Sequence, residues 1–119
     1  MAEALAEQLR RALNDVAADR TTITYLALAE RIRMPGPHRI HRLTLALEDL
    51  VVEDHENNKP LIAALAIGRG PDGIPGPGFF QLLSRLGRYE GPDRGPQAIA
   101  AHDHEKRTVW NFWGQAAPK

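Results

Sequence analysis

The chain has 119 residues, no cysteine, and 15 lysines and arginines balanced by 15 acids, so its formal net charge is zero. That length builds one hydrophobic core with little room for a second, and without a thiol there is no disulfide, thiolate metal site or cysteine nucleophile. A neutral chain does not coat nucleic acid through bulk charge, so any such contact must be local.

Residues 3–18 are rich in alanine and leucine, with Glu3 and Glu7 early and Arg10 and Arg11 later. This spacing predicts an amphipathic helix whose charges suit its dipole. Thr21, Thr22, Ile23 and Thr24 interrupt it with β-branched residues, and Thr24 is placed to cap a second helix from Tyr25 to about Ile32. Pro35-Gly36-Pro37 then makes a turn, with Pro37 suited to the first position of a third helix. Ile40, Leu43, Leu47, Leu50 and Val51 recur at helical spacing, so that helix is expected to run to about Asp54 with these residues inward. His41, Arg42 and Glu48 fall on its other side, and the acids Glu48, Asp49, Glu53, Asp54 and Glu56 read as a solvated face.

The apolar run at 61–67 has strand length. Residues 68–78 hold five glycines and three prolines, which suits a loop, or a wing, and no regular element. A short helix is expected over 79–86, and a second Gly/Pro stretch at 91–96 leads into a closing helix to about Trp113 that buries Ile99, Val109 and Trp113. Three helices, a strand and a Gly-rich loop is the order of a winged helix-turn-helix. The expected fold is therefore mainly α (α+β), one domain over 1–119, with a core at about 3–78 and a helical extension at about 79–114.

Charge is concentrated within this order. Residues 31–42 carry four arginines, two histidines and no acid, and they fall where one helix ends and the next begins. Arginine's planar fork binds phosphate oxygens bidentately, and a helix N-terminus adds backbone N–H groups. Tyr25, Arg31, Arg33, His38, Arg39 and Arg42 are thus the candidate contacts to double-stranded DNA, with Arg69 as the charge reaching from the wing. Trp110, Phe112 and Trp113 cannot all lie on one packed stripe, since neighbouring helical residues are about 100° apart. They form the candidate interface for a homodimer or another protein partner, which is the rival reading of the chain.

His102, His104 and Glu105 lack the spacing of helical metal ligands. No metal, cofactor or catalytic group is expected. No apolar run reaches the roughly 18 residues of a membrane span, and the first residues do not resemble a signal peptide, so the expected location is cytoplasmic.

Thr24-Tyr25-Leu26-Ala27-Leu28-Ala29 has the Thr-Tyr-x-x-Leu-Ala form of the DNA-binding domain of alkylguanine-DNA alkyltransferases and alkyltransferase-like proteins. The resemblance covers about residues 20–78 and implies a winged helix-turn-helix in which Tyr25 presses on a phosphate. It also implies a finger residue that enters the duplex as a base flips out. Arg39-Ile40-His41-Arg42 stands where the family has Arg-Ala-Val-Gly, which assigns the finger to Arg39 or, in the other register, to His38. The family's Pro-Cys-His-Arg-Val segment has no counterpart at 60–67, so alkyl transfer is not implied. The chain also resembles small bacterial proteins that carry a Pro-Leu-x-x-Ala-Leu segment, a Pro-Gly-x-Gly-Phe-Phe turn and a tryptophan-ended helix.

Overall fold

The computed structural model describes residues 4–114. In chain order they form α1 (Leu5–Ala18), β1 (Ile23–Thr24), α2 (Tyr25–Arg31), α3 (Arg39–Glu56), a 3-10 turn (Ile62–Leu65), β2 (Ala66–Ile67), α4 (Pro77–Arg85) and α5 (Pro96–Trp113). The architecture is mainly α, with a small sheet in which β1 and β2 run parallel, Ile23 opposite Ala66 and Thr24 opposite Ile67.

Helix α1 buries Leu9, Ala12, Leu13, Val16 and Ala17, the spacing of one apolar stripe. Thr24 caps α2 as its position predicts, its hydroxyl oxygen accepting the Ala27 N–H at 3.2 Å. Helix α3 turns Leu43, Leu47, Leu50 and Val51 inward. Two expectations fail at its leading end. The helix begins at Arg39, because His38 takes a left-handed conformation (φ 57°) that breaks continuity with Pro37, which follows a cis peptide bond. Ile40 shares the spacing of the core stripe yet is 38 % exposed, since the first turn of α3 stands clear of the packed layer.

The predicted strand at 61–67 is mostly a 3-10 turn, with only Ala66 and Ile67 in the sheet. Residues 61–66 are all buried, and α1, α3 and α5 pack around the turn. Its backbone is satisfied by side chains and not by neighbouring strands. The Leu61 N–H donates to Glu105 Oε2 at 2.9 Å and the Ile62 N–H to Asp54 Oδ2 at 3.1 Å. His102 Nε2 bonds the Ala64 carbonyl at 2.8 Å. Buried backbone groups need partners of some kind, and here α3 and α5 supply them.

The acidic face read as solvated is therefore broken at Asp54, which is 1 % exposed. Besides Ile62, its carboxylate accepts Arg10 Nη2 from α1 at 2.7 Å, while Arg10 Nε also reaches Glu53 at 3.0 Å. Burial works against the Arg10 charge, but the hydrogen bonds and charges of Asp54 and Glu53 outweigh it and raise its pKa. Helix α5 closes the fold by burying Ala98, His102 and Val109. Ile99, expected inside, is exposed, because Ala98 occupies the inward position. At its end Gly114 is required by proximity: a Cβ there would stand 2.8 Å from the Ala17 carbonyl oxygen.

Candidate nucleic-acid interface

The basic turn is fixed from below by Met34, which is buried, and from above by Arg42, whose Nη1 donates to the carbonyls of Pro35 at 2.8 Å and Pro37 at 3.5 Å. Arg42 thus braces the turn while remaining exposed. Arg39 leans back toward α2, with Nη2 at 3.7 Å from Glu30 Oε2. Arg31, Arg33 and His38 are exposed, and neither Arg31 nor Arg33 pairs with a carboxylate among the described residues. Arg33 sits in the left-handed region at φ 56° and ends α2, with Met34 N–H returning to Ala29 O at 2.9 Å. Glycine is the usual residue at such a helix end. The His38 side chain makes no capping hydrogen bond at the start of α3, whose first-turn N–H groups have no partner within the helix.

The other two candidates lie elsewhere on the surface. Tyr25 opens α2 half-buried, and its hydroxyl oxygen accepts the Gly76 N–H at 2.8 Å. Burial raises its pKa, the Gly76 bond opposes that, and the charge of Glu48 adds to it. Tyr25 therefore pins the far end of the Gly/Pro loop to α2. Beside it, Thr44, Leu47, Glu48 and Phe79 enclose only about 20 Å³, room for roughly one water. Arg69 is exposed on the same loop, which is closed by the Gly68 N–H donating to Ile74 O at 2.9 Å. Since the loop leaves β2, and β2 pairs with the strand leading into α2, its two ends are held next to the start of α2.

No protein-family model, curated protein or solved structure matches this chain.

The three aromatics of α5 separate as helical spacing requires. Trp110 Nε1 donates to Thr21 O at 3.0 Å and Trp113 Nε1 to Pro60 O at 2.8 Å, and both rings are half-buried. Arg20 and Lys106 lie over the Trp110 ring, and Arg10 and Lys59 over that of Trp113. Phe112 is 47 % exposed and meets Trp113 edge-on, with centroids 5.0 Å apart. His102 and Glu105 are both engaged with the buried 3-10 turn, and burial lowers the His102 pKa despite its bond to Ala64. Its Nε2 carries the proton, because a carbonyl oxygen only accepts. No helix of the described residues is long and apolar enough to cross a membrane.

Proposed function

We propose that this chain is a non-catalytic, double-stranded DNA-binding protein of winged helix-turn-helix type, with residues 31–42 and the first turn of α3 facing the duplex. The observation that carries this reading is an acid-free turn presenting two exposed arginines, Arg31 and Arg33, neither of which pairs with a carboxylate among the described residues. Helix α2, the turn and α3 supply the helix-turn-helix order, and the resemblance at 24–29 to alkyltransferase DNA-binding domains agrees with it. In this reading Arg31 and Arg33 meet phosphates, His38 and the first turn of α3 approach the groove, and Arg69 touches from the loop as a wing. Arg39 must leave Glu30 to act as a finger, and Arg42 contributes by holding the turn in shape. Alkyl transfer has no thiol to accept the group.

Titration of a short duplex at two salt concentrations tests the proposal. Affinity should fall with salt, and the Arg31→Ala/Arg33→Ala double variant should reduce the log–log slope by about 1.8, or 0.9 per phosphate contact. A wild-type protein with no salt-dependent affinity for DNA overturns it. A second reading, a protein-interaction module, is favoured by the exposure of Phe112; aromatic side chains are enriched at the centres of interfaces.

A further inference from the structure

Gln8, Arg11, Ala12 and Asp15 are three and four residues apart on α1 and so form one stripe of its surface. That stripe faces the end of α2, and with Arg31, Ile32 and Arg33 it lines a crevice of about 310 Å³. Three guanidinium groups and one carboxylate border this space, a local excess of positive charge in a chain of zero net charge. Its floor is the buried Ala12 and the half-buried Ile32. A crevice of that size has room for a tetrahedral anion.

The negative end of α2 opposes an anion there, but less than an uncapped helix end would. The carbonyls of Leu28, Ala29 and Glu30 are taken up by the N–H groups of Ile32, Met34 and Arg33 at 2.9 to 3.1 Å. Arg33 holds a left-handed backbone at the end of α2, the conformation that Arg20 and Asn58 take just past α1 and α3. Arg11 and Gln8 have other contacts as well, but a guanidinium has five donors and can serve more than one partner.

We infer that this crevice is a phosphate-group site, held by Arg11, Arg31 and Arg33 with Gln8 as a neutral donor, and weakened by Asp15. The inference rests on the proposed DNA reading for its source, a backbone phosphodiester, which would bring α1 onto the duplex as a second contact beside the basic turn. Free phosphate shares the same chemistry.

The test has two arms, run on wild type, Arg11→Ala and Asp15→Asn, with the fold checked by circular dichroism. Inorganic phosphate is titrated while the arginine Nε–H resonances are followed, and a labelled short duplex is titrated at two salt concentrations. Phosphate should shift the resonances of Arg11, Arg31 and Arg33. Arg11→Ala should weaken both ligands about three- to fivefold and lower the duplex salt slope by about 0.9. Asp15→Asn should tighten both by a similar factor, a gain that misfolding cannot produce. Phosphate shifts that depend on Arg11, with duplex binding indifferent to it or absent, support the site and assign it to free phosphate. Salt-dependent duplex binding with no response of either ligand to Arg11→Ala or Asp15→Asn overturns the inference and leaves the DNA reading standing.

Discussion

Asp54 ties the C-terminal half of α3 to α1 and to the central 3-10 turn, so Asp54→Ala tests how α3 is held in place to present its basic end. The carboxylate is 1 % exposed and accepts two donors, Arg10 Nη2 at 2.7 Å and the Ile62 N–H at 3.1 Å. Removing one partner of a buried ion pair costs about 3–5 kcal/mol. Arg10 retains Glu53 and is 22 % exposed, which places its share at the low end. The orphaned Ile62 N–H carries a penalty of about 1–3 kcal/mol that partly overlaps with this one. Together they predict a loss of about 3–4 kcal/mol. Asp54→Asn keeps an acceptor for Ile62 and should lose roughly half as much. In urea unfolding, with a slope of about 2 kcal/mol per molar, the Asp54→Ala midpoint should fall by roughly 1.5–2 M with the slope unchanged. A change below about 1 kcal/mol, or equal damage from alanine and asparagine, would refute the assignment of this carboxylate as the anchor of the turn.

Arg33→Gly should raise stability by about 0.5–1 kcal/mol, because it relieves the left-handed backbone, while weakening DNA binding; a loss of thermal stability would refute the cost assigned to that backbone. His102 has a lowered pKa in the fold, whereas its unfolded value is about 6.5. Its contribution is therefore full above pH ~6.5 and is lost as pH falls through the lower folded value. His102→Gln, which keeps a donor for Ala64 O, should flatten that part of the stability–pH profile, and an unaltered profile counts against the assignment. Trp113→Ser should destabilise by about 2–3 kcal/mol through lost packing and the bond to Pro60, and Phe112→Ser by under about 1 kcal/mol. Equal unfolding temperatures, together with unchanged sedimentation of both variants, would take away the support for a partner surface at Phe112.

The local patterns in the sequence determine much of this protein. Periodicity locates α1 and α3, the Gly/Pro stretch at 91–96 marks the start of α5, Thr24 that of α2, and the acid-free arginine turn is visible at 31–42, because each depends on residues within a few positions of one another. The apolar run at 61–67 carries no period that separates a strand from a buried turn. Its conformation was decided by Asp54, Glu105 and His102, which arrive from α3 and α5 to satisfy its backbone. The same distant contacts bury Asp54 within an acidic segment and leave Ile40 and Ile99 outside. They also pair β1 with β2 in parallel across 42 intervening positions, and pin Tyr25 to Gly76. The neighbours of Arg31 and Arg33 in the crevice come from α1, about twenty residues upstream. Local spacing sets which face of a helix is apolar, but what lies against that face, and which charges meet across it, exists only once the helices have packed.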